Sequence, residues 1–466
     1  MVQGQIDVNL QDVRANTSYR DTLRDLLGHD LNFHGQGNGY QTHNFHSFPA
    51  KFPPQLPREF ILGLTKPGEV VLDPMAGSGT TIVEALLHTR CGIGFDIDPL
   101  AIMMMRAKTT ELDPERIADV GTIISRNAAL TANEQPDALN RQLETRWDAK
   151  TKTFVDYWFA KETQVELLAL INEIDRVLDS RLRLFFRLIL SGIIITKSGG
   201  VSLAFDLAHT RPHKAKVVKA ASGEILFGQE LAIDPSPRVS LLTKTVRSPL
   251  AEFDKRLRRS MSGLISYQTG FRQPLIQFGD AQQLPLNDDS IDLIVTSPPY
   301  LSNAIDYMRA HKFSLVWLGY SVESLGTKRK EYIGGESLTD IEFEEMPEFT
   351  NQIIARISQI NRSKGRIAHR YYSEMARVLR EMYRVLKPGK GAVLVVGTSI
   401  VQGIDTQIDR CLTDLGVACG FEVVGVGIRQ IDRDKRMLPA GAIANRNSQI
   451  QQRMHSEYVI GLHKTF

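Results

Sequence analysis

The chain is short of cysteine: Cys91, Cys411 and Cys419 are the only three in 466 residues. None stands at a metal-ligand spacing, and an odd number makes no disulfide framework. No apolar run is long enough for a bilayer. The greasiest, Leu188 to Ile195, is short and broken by Ser191 and Gly192. The opening Met1-Val2-Gln3-Gly4-Gln5 is polar and lacks the apolar centre of a secretory leader. Charge of one sign is not in excess either: 56 Lys and Arg against 53 Asp and Glu leave a net +3. That balance permits an anionic partner without demanding one. Repeats and low-complexity tracts are absent. The expectation is a soluble cytoplasmic chain with no metal and no membrane partner.

What is present centres on Ile291-Asp292-Leu293-Ile294-Val295-Thr296-Ser297-Pro298-Pro299-Tyr300. An apolar, β-branched run reads as a buried strand. Two prolines then end it, since each lacks an N–H and has a fixed φ. The chain must leave the sheet there in a stiff turn, at the carboxyl end of the strand, where open α/β sheets bind ligands. Ser297 offers an oxygen and Tyr300 a flat ring. A planar base could stack on that ring while its amino group donates to Ser297 Oγ and the Pro298 carbonyl.

A second anchor is Glu69-Val70-Val71-Leu72-Asp73-Pro74-Met75-Ala76-Gly77-Ser78-Gly79-Thr80-Thr81, a strand entering a glycine turn with a helix from about Thr80. Glycines let backbone approach a ligand, and a helix start supplies free N–H groups. It is not a Walker loop, because no Lys precedes a Ser or Thr. It is not a dinucleotide fingerprint, because Ile82 stands where a third glycine belongs. About twenty residues on, Gly92-Ile93-Gly94-Phe95-Asp96-Ile97-Asp98-Pro99 is a strand ending in acids; Asp98 is placed to cap the next helix.

These segments together resemble the S-adenosylmethionine-dependent DNA amino-methyltransferases, which modify cytosine N4 or adenine N6. Thr-Ser-Pro-Pro-Tyr resembles the catalytic motif, and Asp-Pro-x-Ala-Gly-Ser-Gly-Thr-Thr the cofactor loop. The resemblance implies an α/β, Rossmann-like class I sheet of seven strands with helices on both faces, interrupted by a large, partly helical insertion. It implies catalytic roles for Ser297, Pro298, Pro299 and Tyr300. For S-adenosylmethionine it implies Phe48, Pro49 and Lys51 (in a segment closing over the methionine end), and Asp73, Pro74, Ala76, Gly77, Ser78, Gly79 and Thr80. It adds Asp96 and Ile97 at the ribose and Asp280 and Ala281 at the adenine. The cofactor half precedes the catalytic half, the unpermuted order of the family. Serine at the first motif position goes mostly with cytosine N4, and Asp or Asn mostly with adenine N6. Cytosine C5 methylation needs a cysteine after a proline, but Arg90, Arg410 and Ala418 precede the three cysteines.

Three divisions follow: residues 1–109 with the cofactor half, an insertion over 110–275, and a catalytic half over 276–466. Nothing in the insertion matches the family. Its basic residues Arg211, His213, Lys214 and Lys216, then Arg256, Arg258 and Arg259, are either a solvated face or contacts to DNA phosphates. Expected partners are double-stranded DNA with its target base flipped out and a cognate restriction endonuclease. Adenine N6, RNA or protein amide methylation, and an inactive nucleic-acid-binding subunit are the competing readings. Elsewhere the sequence predicts helices over about 19–28, 57–64, 306–318 and 367–386, a loop or lid over 319–350, and a closing pair of strands near 421–428 and 457–462.

Overall fold

The computed structural model describes residues 18–48, 51–196, 198–207, 212–220, 222–232, 242–264, 272–301, 306–335, 337–338, 341–431 and 456–466. Seven strands form the central sheet: β1 (Val70–Asp73), β2 (Cys91–Asp96), β3 (Leu275–Phe278), β4 (Ile291–Thr296), β5 (Leu386–Gly397), β6 (Glu422–Gln430) and β7 (Ser456–His463). Their order across the sheet is β6-β7-β5-β4-β1-β2-β3. β1 to β5 run parallel to one another. β7 enters between β5 and β6 antiparallel to both. This is the Rossmann-like class I arrangement that the resemblance implied.

Every residue of β4 is buried, as expected of a strand covered on both faces. On one face α1 (Tyr19–Leu27) and α2 (Gln55–Leu64) pack against Val71, Leu293, Val295 and Val393. On the other, α14 (Arg362–Val385), α13 (Glu348–Ile360) and α15 (Ile408–Ala418) bury Leu72, Ile294 and Leu394. The chain reverses direction around β1 and β4, since β1 leads outward to β2 while β4 leads to β5. That reversal opens a crevice at their carboxyl ends.

After α3 (Thr80–Leu87) and α4 (Pro99–Lys108), five consecutive helices occupy residues 114–194: α5 (Pro114–Glu134), α6 (Pro136–Thr145), α7 (Ala149–Trp158), α8 (Lys161–Asp175) and α9 (Ser180–Ile194). Short strands follow, then α10 (Pro249–Met261). Phe185, Phe186, Leu188 and Phe253 of this region join Leu100 and Met104 of α4 in one apolar cluster, together with Phe313 and Trp317 beyond β4. The apolar positions from Val165 to Leu178 mostly pack: Leu167, Leu168, Leu170, Ile171 and Ile174 are buried, while Leu178 is exposed. The predicted loop over 319–350 contains a ten-residue helix, α12 (Val322–Glu331), capped by Ser321; α11 (Tyr307–Leu315) precedes it.

Candidate functional site

β1 ends at Asp73, and the chain turns through Gly77 and Gly79 into α3. Both glycines have positive φ, 49° and 77°. Gly79 is the residue before the first helical turn, and a Cβ there would lie 2.6 Å from Met105 Cγ. Only glycine meets both demands at low cost. Thr81 Oγ1 donates to the Val295 carbonyl at 3.2 Å, tying α3 to β4. Thr296 Oγ1 donates to Asp73 at 2.7 Å. The end of the glycine-loop strand is therefore bonded to the residue before Ser297. Burial pushes the Asp73 carboxyl up to about 6 against those hydrogen bonds.

Asp96 closes β2. Its two oxygens accept from Gly77 N–H and Asp98 N–H, both at 2.8 Å. Burial, and then the neighbouring Asp98, raise its pKa to about 7. Asp98 caps α4 through Leu100 N–H at 2.8 Å. It also takes His311 Nδ1 at 2.5 Å and the Tyr332 hydroxyl at 2.9 Å. Burial opposes its charge, but His311, Tyr332 and the Leu100 N–H outweigh it and hold the pKa below the ordinary carboxylate value.

These groups line a cavity of about 730 Å³ above the ends of β1 to β4. The structure brings together there Phe48, Lys51, Asp73, Pro74, Ala76, Gly77, Ser78, Thr80, Asp96, Ile97, Asp280, Ala281, Ser297 and Pro299. Gly79 shapes the turn without lining it, and Pro49 lies outside the described residues. Asp280 stands exposed at the rim with its carboxylate on Gln282 N–H at 2.9 Å. Lys51 Nζ donates to the His43 carbonyl at 2.7 Å, and burial brings it down to about 8. Behind the loop, buried Lys108 donates to the Ser78 carbonyl at 2.7 Å.

Pro298 and Tyr300 do not line the cavity. Tyr300 is buried, with its ring over Gly397 and its hydroxyl 3.1 Å from Glu457 Oε1 and 3.4 Å from Ser297 Oγ. Burial, and next the Glu457 charge, hold the phenol pKa well above its ordinary value.

Sequence reasoning missed part of the wall. Tyr307 stacks on Phe48 with centroids 5.0 Å apart and planes 20° off, and Tyr332, Ile333, Gly334 and Arg329 cover the opposite side. The acid-rich lid composition gave no periodic signal for them, although only five residues separate Asp306-Tyr307 from the motif.

None of His213, Lys214, Lys216, Arg256, Arg258 or Arg259 lines the cavity, and Arg211 lies outside the described residues. Lys214 Nζ sits 4.2 Å from the Tyr157 ring centroid. Arg258 and Arg259 are exposed. Arg256 is different: its guanidinium donates to the Phe45 carbonyl at 2.8 Å and approaches the Asn44 carbonyl at 3.4 Å. It braces the segment that leads to Phe48. Among the described residues no His, Cys, Asp and Glu group could hold a metal ion, and no helix is long and apolar enough to cross a membrane.

Residues 12–105 match a family described as DNA methylase, of the N6 and N4 type. The Type II methyltransferase M.MvaI of Kocuria varians is 25% identical over 419 residues, covering 84% of this chain and 86% of that protein. The Type II methyltransferase M.BsoBI of Geobacillus stearothermophilus is 22% identical, over 89% of this chain and 86% of its own. A shorter match, 34% identical over 87 residues, covers 18% of this chain and 26% of the Type II methyltransferase M.PvuII of Proteus hauseri.

Proposed function

We propose that this S-adenosylmethionine-dependent DNA amino-methyltransferase of the N4/N6 type acts on N4 of cytosine within a fixed DNA sequence. The observation that carries the reading is the bond between Thr296 and Asp73. It ties the strand end before Ser297 to the end of the glycine-loop strand, which supports a reading in which positioning supplies much of the rate.

S-adenosylmethionine is the cofactor, and it supplies an electrophilic methyl group when bound. The residues present fit it. Asp96 lines the cavity, and its oxygens, each accepting one backbone N–H, keep lone pairs for a pair of ribose hydroxyls. Gly77 leaves room under Phe48, where a Cβ would come within 3.1 Å of the ring. Phe48, Lys51, Asp280 and Ala281 also line the cavity, which supports assigning the last two to the adenine and the first two to the methionine end.

The target base leaves the duplex, since its amino nitrogen is shielded in the stack. Ser297 Oγ and the Pro298 carbonyl accept the two amino hydrogens. This holds the nitrogen lone pair out of the ring and points it at the methyl group. Tyr300 is proposed to stack on the base, which requires its ring, buried and outside the cavity lining, to be uncovered as the base enters. Attack is direct, without a covalent enzyme intermediate, and the proton leaves to water. Serine in place of a carboxylate at the first motif position favours cytosine. Arg258, Arg259, His213, Lys214 and Lys216 are proposed to hold phosphates, with Arg256 bracing the loop beneath them. A partner endonuclease recognising the same DNA completes the proposal.

Incubation with radiolabelled S-adenosylmethionine and genomic DNA tests it. Label should enter DNA with the wild-type protein and fall by at least about a hundredfold with Ser297→Ala. Equal labelling by the two would remove Ser297 from the chemistry.

A further inference from the structure

We propose that Glu457, backed by Arg429, orients the Tyr300 hydroxyl so that Ser297 Oγ meets the target amino group as a hydrogen-bond acceptor. This rests on the reading above that Ser297 receives that group.

A hydroxyl has one hydrogen and two lone pairs, and its hydrogen rotates to suit its neighbours. A serine that must accept from an amino group has to place its own hydrogen elsewhere. The neighbour in reach is the Tyr300 hydroxyl at 3.4 Å. Tyr300 can receive that hydrogen only if its own is committed to another acceptor. Glu457 Oε1, at 3.1 Å, is that acceptor, and an ionised carboxylate can only accept. The order of donation is thereby fixed: Ser297 to Tyr300, Tyr300 to Glu457. The lone pairs of Ser297 are left facing the cavity that Ser297 lines.

The sheet is built to hold this order. Glu457 pairs directly with Gly397 across β5 and β7, and with Arg429 across β6 and β7, so the three residues form one row over three strands. Arg429, only 5% exposed, contacts the other Glu457 oxygen. A buried carboxylate needs such a partner to stay charged. At Gly397 the row is cut away for the ring, because a Cβ there would lie 2.6 Å from Tyr300 Cε2. The distance of 3.4 Å between Ser297 and Tyr300 exceeds a fully formed O–H···O bond. Such contacts tighten when substrate binds. As positive charge develops on the attacking nitrogen, a chain ending on a carboxylate polarises Ser297 more than an isolated serine would be. Glu457 and Arg429 are positioning residues, and no proton moves along the chain.

The test uses the full-length protein with S-adenosylmethionine and DNA in single-turnover methyl transfer, with cofactor affinity measured by calorimetry. Tyr300→Phe keeps the ring and the ion pair but removes the relay. It should slow methyl transfer by about ten- to a hundredfold and leave cofactor affinity unchanged. Glu457→Gln should also slow transfer, and adding it to Tyr300→Phe should cost less than twofold more. If Glu457→Gln fails to fold because Arg429 is left uncompensated, the charge-neutral pair Glu457→Gln with Arg429→Gln takes its place in both backgrounds. Tyr300→Phe turning over at the wild-type rate, or losses that multiply in the combined variant, would overturn the proposal. A wild-type protein that binds cofactor yet methylates no DNA would instead defeat the parent reading, and this one with it.

Discussion

Replacing Asp96 by asparagine separates the cost of its charge from the benefit that charge brings to the cofactor. Without cofactor, the carboxyl is held up to about 7 by burial and by Asp98, against an ordinary value near 3.8. The folded state therefore holds this proton where the unfolded state has lost it. The associated stability is present below about pH 4 and is lost as pH rises through about 7. Three units correspond to a ceiling of about 4 kcal/mol. Asp96 is only half-buried and faces the cavity, so water there reduces this to roughly 1–3 kcal/mol. Asparagine also presents an N–H₂ to Gly77 N–H or Asp98 N–H, a penalty that does not change with pH. The diagnostic is therefore the slope. Between pH 5 and pH 8 the cofactor-free wild type should lose roughly 1–3 kcal/mol relative to Asp96→Asn in denaturant titrations. Asp73 is raised in the same direction to about 6 and is coupled to Asp96, so its own contribution cancels only in part. Cofactor affinity should show the converse. With Asp96 in its proposed role at the ribose, the wild type should bind S-adenosylmethionine more weakly as pH falls below about 7. Asp96→Asn should bind about thirty- to a hundredfold more weakly at pH 8, the worth of two charge-assisted hydrogen bonds. A folded variant with an unchanged dissociation constant would remove Asp96 from the cofactor site. Parallel pH–stability curves would refute the burial argument.

Gly79→Ala, at φ 77° and under Met105, should cost about 1–3 kcal/mol and weaken cofactor binding, read by thermal melting with and without cofactor; an unchanged response to cofactor would contradict the turn's role. Gly397→Ala pushes a methyl into the Tyr300 ring and should lower stability by about 1–3 kcal/mol while slowing methyl transfer, so a fully active variant would count against the packing described. Arg256→Ala removes the bonds to Phe45 and Asn44 and should cost about 1.5–3 kcal/mol, with little change in the salt dependence of DNA binding. Neutralising exposed Lys255, Arg258 and Arg259 together should instead flatten the slope of log affinity against log salt by about 2–3 without moving the melting temperature; an unmoved slope would make that face a solvated one.

Legibility followed how local each signal was. β1, β2 and β4 end in Asp73, Asp96 and Thr296, and their apolar runs stop at proline or glycine, so both the strands and where they end were readable. The closing strands were predicted near 421–428 and 457–462 and extend over Glu422–Gln430 and Ser456–His463. α12 was read as loop because Val322 to Glu331 is charged nearly all round and buries only Leu325; its stability comes from the Ser321 cap and tertiary contact. Tyr332 and His311 were invisible as site residues because they meet Asp98 across more than two hundred residues of chain. Arg256 looked like its basic neighbours in the sequence. The heptad-like spacing of Phe253 and Leu257 along α10 leaves it beside the apolar face, and only the fold shows that the Phe45 carbonyl lies there. Glu457 and Arg429 belong to an alternating strand pattern in which an inward ion pair and an outward one read alike.

The central claim is tested most directly by the modified base itself. DNA methylated by the purified protein is digested to nucleosides and separated by mass spectrometry. N4-methylcytosine is the predicted product, since Ser297 supplies a neutral acceptor beside a flipped pyrimidine. N6-methyladenine without N4-methylcytosine would contradict the choice of base, and DNA carrying neither would contradict amino-methylation altogether.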